Sequence, residues 1–358
     1  MNPFPQDLQL KTISQTKRLV NIIPTAQNEE LSILEKNHVR RKSRRNSFGF
    51  EEDSESSSIS DTIDSPKSFS GVKLFLTIDP MPFFSDIKEI GSGLTSEVYM
   101  VKYKSKNVAA KRIKMTHKQK EYIINEIQVM NSVKSRYLVG LISAYLYNET
   151  AWILMKYMNA GTLGNLIKFV KCDEGAIAFF ASRILFGLKR LHDNNIIHRD
   201  IKCENIFLTN KGRVKIGDFG FACYLNNLSN EESEYLVGSP YWMAPEVARG
   251  ENHSKASDIW ALGISCIEMF LGRPPYSSME PLKAIKYIGK HGTKIPSGIS
   301  EDFADFLNQC TKKNPNDRPS VSKLLKHPFL KMKFQRKMIV PYISKGLQYS
   351  EDSELFGF

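Results

Sequence analysis

Ile197, His198, Arg199, Asp200, Ile201, Lys202, Cys203, Glu204 and Asn205 form the stretch that decides how the rest of this chain is read. His198, Arg199, Asp200, Lys202 and Asn205 at these offsets would arise by chance in about one of 10⁴ chains of this length, at roughly 5% usage per residue. A purely structural loop has no need of them. Asp200 can orient a hydroxyl and accept its proton, Lys202 can neutralise a phosphoryl group in transfer, and Asn205 can hold a metal ion.

Working downstream, Asp218, Phe219 and Gly220 follow the strand-like Val214, Lys215, Ile216. Alone, Asp-Phe-Gly marks a turn. Placed after Asn205, it makes Asp218 the expected second ligand for an Mg²⁺ ion that bridges phosphates.

Working upstream, Gly91, Ser92, Gly93, Leu94, Thr95, Ser96, Glu97 and Val98 make a glycine-rich turn between two strand-like runs. Glycine lets backbone N–H groups approach phosphate oxygens, although a tight hairpin needs glycine as well. The next element reads as a strand rather than a helix, which disfavours a dinucleotide fold. Lys111 closes the apolar run Val108, Ala109, Ala110 and would be costly if buried without a partner. Glu126 shares a helical face with Ile123 and Met130 and offers that partner, while Glu121 points elsewhere.

These motifs sit in a regular progression of elements. Strand-like runs at 84–90, 97–103 and 107–113 read as an antiparallel meander, a helix is expected over 118–131, and strands over 138–146 and 151–156. Beyond Gly161 the pattern is mainly helical. The fold class is therefore α+β: a small lobe of antiparallel sheet plus one helix, hinged to a larger helical lobe.

Composition sets the outer bounds. The chain has 358 residues, 41% of them hydrophobic, and a formal charge of +12. Residues 1–70 carry ten basic and ten acidic side chains, so the excess lies in the folded part, where a diffuse positive surface argues for solubility more than for nucleic acid. Five scattered cysteines with no Cys-x-x-Cys pair fit a reducing compartment. The apolar runs at 176–188 and 261–271 are too short and too charged to span a membrane, and no secretory signal opens the chain. Residues 1–75 read as a mostly disordered regulatory tail, with a basic cluster at 40–45 and an acidic serine tract at 51–64. The basic cluster suits a solvated tail, a nuclear-import signal or a phosphorylation site. It also underlies a rival reading as a nucleic-acid-binding protein.

Taken together, the chain resembles the eukaryotic protein kinases, with a kinase domain over 84–330 (84–158 as N-lobe and hinge, 159–330 as C-lobe) and 331–358 as a C-terminal tail. Ala244, Pro245 and Glu246 match the family's Ala-Pro-Glu, whose Glu would pair with Arg318; 258–263 matches its following helix. The run 238–246 resembles the STE group, and Ile123 to Ile127 with Phe221 resembles its PAK branch, without the GTPase-binding motif and its paired histidines.

The resemblance implies ATP and Mg²⁺ as cofactors, protein substrates with Ser/Thr acceptors, and a place in a signalling cascade. It implies catalytic roles for Asp200, Lys202, Lys111 and Glu126, with metal binding by Asn205 and Asp218. Nucleotide contacts would come from Gly91, Ser92, Gly93, Val98, Ala109, Lys111, the gatekeeper Met155 and the hinge residues Lys156, Tyr157 and Met158. Ser96 stands where the family has a third glycine, and Ser239 where relatives often have a threonine that bonds the catalytic Asp. A catalytically dead kinase scaffold would be signalled by loss of Lys111, Asp200, Asn205 or Asp218, and all four are present.

Residues 1–75 are expected to receive an upstream kinase or regulatory protein, and the cysteine pattern with the basic cluster at 40–45 implies the cytoplasm, with the nucleus as the alternative. Glu204 would pair with an arginine N-terminal to the acceptor, Phe221 goes with serine over threonine, and Ser47 after Arg44 and Arg45 becomes an autophosphorylation site. Arg199 needs an anion. The matching activation-segment position is Tyr235, and Glu231, Glu232 and Glu234 either supply charge beside Ser233 or are simply solvated.

Overall fold

In the computed structural model, residues 74–93, 95–227 and 237–356 are described. Three strands open the small lobe, β1 (Phe84–Ser92), β2 (Ser96–Tyr103) and β3 (Lys106–Lys114), paired antiparallel in succession. Lys104 and Ser105 between β2 and β3 both take positive φ, the two-residue turn whose twist suits a hairpin. Helix α1 (His117–Ser132) follows, and then β4 (Leu141–Tyr147) and β5 (Thr150–Lys156), joined by Asn148 and Glu149 in the same positive-φ turn. The sheet order is β1-β2-β3-β5-β4.

The two faces of this sheet bury different sets. Ile123, Ile127 and Met130 of α1 join Ile113, Ala144 and Ile153 in the main core. Val101, Tyr103, Val108, Ala110, Tyr145 and Leu154 form a second cluster, where the Tyr103 and Tyr145 hydroxyls bond at 2.9 Å.

Two boundaries differ from the sequence expectation. The fourth strand starts at Leu141 rather than at 138, because Leu138 bridges Ile216 and the Val139 N–H donates to the Ile216 carbonyl at 2.7 Å, tying the lobes together. The tail expected over 1–75 lies outside the described residues up to 73, but its last two residues pack on the core. Leu76 donates to the Ala144 carbonyl and accepts from the Leu146 N–H, adding a short parallel partner to the edge of β4. Phe75, only 7% exposed, is thereby set in the core on the α1 side of the sheet. An aromatic ring buries enough area to hold such a segment.

The large lobe begins with α2 (Leu163–Phe169) and α3 (Glu174–Asp193). Short strands β6 (Ile196–Ile197), β7 (Ile206–Leu208), β8 (Val214–Ile216) and β9 (Cys223–Tyr224) follow. After them come α4 (Pro245–Ala248), α5 (Lys255–Leu271), α6 (Pro281–His291), α7 (Glu301–Cys310), α8 (Val321–Leu324) and α9 (Arg336–Phe356). Helix α5 is apolar nearly all round, as a helix through a core must be. It starts at a capping box of Ser254 and Ser257 and stops at Gly272 in left-handed conformation. The stretch 331–358, expected as a tail, contains α9, which buries Ile339 and Ile343 and sets Gly346 against Leu166 of α2. The Tyr342 hydroxyl donates to Asp173, the residue that caps α3.

Candidate active site

Two ribbons explain why loops distant in sequence meet. β7 pairs with β8 and β6 with β9, so the loop 198–205 between β6 and β7 and the loop 217–222 between β8 and β9 are held side by side. The Gly217 N–H donates to the Asn205 carbonyl at 3.0 Å across the seam.

Asp200 is buried, with partners on both carboxylate oxygens. Its Oδ1 accepts from the Ser239 hydroxyl at 2.7 Å, and its Oδ2 accepts from Asn205 Nδ2 at 2.8 Å and faces Lys202 Nζ at 3.1 Å. Lys202 also donates to the Ser239 hydroxyl. Burial opposes the Lys202 charge, but Asp200 and Glu204 outweigh it and hold the ammonium above its usual value. Both hydrogens of Asn205 Nδ2 are used, on the Asp200 carbonyl and carboxylate, which leaves Oδ1 as the acceptor for a cation.

Beneath this loop lies a carboxylate whose role the sequence reading did not assign. Asp258, at the start of α5, is almost fully buried and accepts from the His198 and Arg199 N–H groups at 2.9 Å each, and from His192 at 2.8 Å. Burial opposes its charge, but the His192 bond, the positive charge of His192 and His198 and the His198 amide keep its pKa below the usual carboxylate range. Arg199 takes φ +65°, a costly conformation for a side-chain-bearing residue, and Asp258 helps to hold it there. The signal was one acid heading the apolar run Ile259 to Leu262. His198 accepts the Asp200 N–H at Nδ1, which leaves Nε2 to donate to the Gly217 carbonyl at 3.2 Å.

The small lobe supplies the other wall. Gly91, Val98, Lys111 and Ile153 stand in one cross-strand row, and Met100, Ala109 and Met155 in another two residues along, hence on the same face. Gly91, Ser92 and Gly93 are exposed at the hairpin end, where the Gly93 N–H donates to the Ser96 carbonyl at 2.7 Å. At the hinge Met155 and Tyr157 are half-buried, Met158 buried and Lys156 exposed. Lys111 donates to both Glu126 oxygens, at 3.0 and 2.8 Å, with Asp218 Oδ1 at 3.8 Å on its other side. Burial works against this ammonium, but Glu126 and Asp218 together raise its pKa above the ordinary value. Asp218 has φ +62° and a side chain 44% exposed, while Phe219 behind it is buried.

These groups suit an Mg²⁺–nucleotide. Asp218 offers one carboxylate and Asn205 one amide oxygen, on the two loops that the paired ribbons hold side by side. Among the described residues no cluster of three or more His, Cys, Asp or Glu could close around a metal. Mg²⁺ keeps waters and takes substrate phosphates, so few protein ligands are what it needs.

Other expected residues fall as follows. Glu246 and Arg318 form a buried bidentate pair at 2.6 and 2.7 Å, with the guanidinium over the Trp260 ring. Glu204 packs against Gly164 of α2, and its buried Oε2 has no hydrogen-bond partner among the described residues. Nearby Glu268 accepts from Trp242 Nε1 at 2.9 Å, and burial, with Glu204 adding to it, pushes its pKa up to about 8. All five cysteines are buried. Arg40 to Arg45, Ser47, Glu231, Glu232, Ser233, Glu234 and Tyr235 lie outside the described residues.

Residues 84–330 match the protein kinase domain family. A serine/threonine-protein kinase shk1/pak1 from Schizosaccharomyces pombe is 38% identical over 278 residues, covering 76% of this chain and 42% of that protein. The serine/threonine-protein kinase ste20 of Aspergillus fumigatus is 39% identical over 260 residues, covering 71% and 32%. The serine/threonine-protein kinase pakB of Dictyostelium discoideum is 37% identical over 287 residues, covering 78% and 34%. The chain thus spans less than half the length of each of these relatives.

Proposed function

This chain belongs to the protein kinase domain family, on its PAK-like STE branch, and from that premise we propose that it phosphorylates serine and threonine hydroxyls of proteins with ATP. The observation that carries this reading is a two-ended assembly. Lys111 stands between Glu126 and Asp218 at one end, and Asp200 stands among Ser239, Lys202 and Asn205 at the other.

In this reading the acceptor hydroxyl gives its proton to Asp200 as its oxygen bonds to the γ-phosphorus, and the bond from that phosphorus to the bridging oxygen breaks to release ADP. Asp200 is buried and oriented by three donors, so it needs no rearrangement to accept that proton. Lys202 offsets the charge on the phosphoryl oxygens. Lys111, steadied by Glu126, holds the α- and β-phosphates under the glycine turn at 91–93. Mg²⁺, on Asn205 and Asp218, supplies neutralising charge to the phosphates when bound. Val98, Ala109 and Met155 would line the adenine site, with hydrogen bonds from the backbone of 156–158.

The finer reading concerns the acceptor sequence. The Oε2 of Glu204, without a hydrogen-bond partner among the described residues and beside a second acid at Glu268, supports a site for an arginine N-terminal to the acceptor. Phe221, the large residue directly after Asp218, Phe219 and Gly220, goes in this reading with a preference for serine. Ser47 would then be a site of autophosphorylation, and basal activity would rise further when Ser233 is modified. The domain assignment of 84–330, flanked by a regulatory tail at 1–75 that receives an upstream kinase or partner, is part of the same proposal. Among the described residues no helix is long and apolar enough to cross a membrane. A cytoplasmic enzyme with access to the nucleus fits the proposal.

The test is a degenerate serine/threonine peptide array with MgATP, run with wild type, Asp200→Asn and Lys111→Met. Each variant should lose about 10²- to 10⁴-fold in turnover while keeping its fold. Turnover above a tenth of wild type in either would refute its assigned role. An array indifferent to upstream arginine would reject the role given to Glu204.

A further inference from the structure

Helix α1 sends neighbouring side chains to two different parts of the site. Glu126 reaches Lys111 on β3. One position earlier, Asn125 turns to the loop that carries Asp218. Its Nδ2 donates to the Phe219 carbonyl at 3.3 Å and, more closely, to the Ala222 carbonyl. One turn back, the Tyr122 ring meets Phe221 edge-on, with centroids 5.8 Å apart and planes at 82°.

The chemistry of that amide is specific. Its nitrogen has two hydrogens and two carbonyls take them, which fixes which way the amide faces. Turned over, its oxygen would confront two carbonyl oxygens. The two acceptors are the ends of one turn, closed by the Ala222 N–H on the Phe219 carbonyl at 3.0 Å. Asn125 therefore grips the turn as a unit. That turn follows Asp218, whose positive φ is a conformation the surroundings must enforce.

We propose that Asn125 is a positioning residue for phosphoryl transfer: it latches the loop of Asp218, Phe219 and Gly220 to α1, so that Glu126 and Asp218 reach their working places together. Without it the helix and the loop are free to move separately, and the state with both in place becomes one of several. The proposal rests on Asp218 being the metal-binding group.

The test uses the full chain with Asn125→Asp and Asn125→Ala. Aspartate has the shape of asparagine but sets a carboxylate against two carbonyls, so a donor role makes it the worse variant, whereas a packing role makes alanine the worse. Two quantities are read: amide hydrogen exchange across 117–132 and 217–223, and ADP affinity with and without Mg²⁺. In Asn125→Asp, exchange should rise about tenfold in both segments together, with α3 and α5 unchanged, and the gain in ADP affinity from Mg²⁺ should fall about tenfold. In Asn125→Ala both effects should be smaller. Exchange unchanged in either segment, or Asn125→Asp closer to wild type than Asn125→Ala, overturns the latch. If Mg²⁺ leaves wild-type ADP affinity unchanged, Asp218 is not the metal ligand and the latch does not serve it. The exchange arm then decides separately whether helix and loop are coupled.

Discussion

At the scale of single residues, backbone geometry leaves least freedom at Gly238. It has φ +114°, and a Cβ there would lie 2.6 Å from the Arg199 carbonyl. The chain at 237–239 can come this close to the 198–205 loop only because that position has no side chain. Gly238→Ala should lower turnover at least tenfold, at a strain cost of about 1–3 kcal/mol. A variant with wild-type turnover would show that this approach is not needed for catalysis. Glu268 gives a prediction in pH. Its ordinary value is 4.5, and burial raises it to about 8 in the folded protein. Between those values the unfolded chain releases a proton that the folded chain keeps, so stability falls as pH climbs from about 4.5 to about 8. Glu268→Gln keeps an acceptor for Trp242 without titrating. Its stability in urea should therefore gain on wild type across that window and run parallel above it. A gap between the two that is constant with pH would reject the assignment.

At the scale of elements, α1 is held from several sides. The sheet lies beneath it, Lys111 and the Asp218 loop meet its polar residues, and Phe75 is buried on the same side of the sheet. The Phe75 contribution is testable because Leu74 to Leu76 belong to a short flanking stretch rather than to the sheet itself. Phe75→Ala removes a buried ring and should cost up to about 3–5 kcal/mol, less if the stretch simply detaches. We expect Phe75→Leu to recover most of that loss and of the accompanying fall in kcat. Equal kcat in Phe75→Ala and wild type would mean that the flanking stretch packs on the lobe without influencing α1.

At the scale of the whole molecule, the cleft between the lobes should be a place where ligand and fold are linked. A ligand that binds only the folded protein stabilises it by about 2.7 kcal/mol at a hundred times its Kd. For a domain of this size that is a rise in Tm of about 5–10 °C. A non-hydrolysable ATP analogue with Mg²⁺ should produce it, and chelating the metal should remove a large part. A shift the same with and without Mg²⁺ would argue against metal binding by Asn205 and Asp218.

Much of this architecture is legible along the chain, because its causes are local. The offsets of His198, Arg199, Asp200, Lys202 and Asn205 are fixed by covalent spacing, and β-rich runs broken by turn residues mark the sheet. The inward face of α1 follows from a 3.6-residue repeat, which is why Glu126 rather than Glu121 meets Lys111. Only the tertiary structure decided what depends on approach between distant segments. It set Asp258 beneath the backbone of His198 and Arg199, bound Asn125 to two carbonyls about a hundred residues away, and drew Leu138 out of its strand to pair with Ile216. It also folded 74–76 onto the edge of β4 and a helix under α2. A carboxylate or an amide in sequence has a charge and a donor count but no direction; the partners that give it a role come from packing, which no local repeat records.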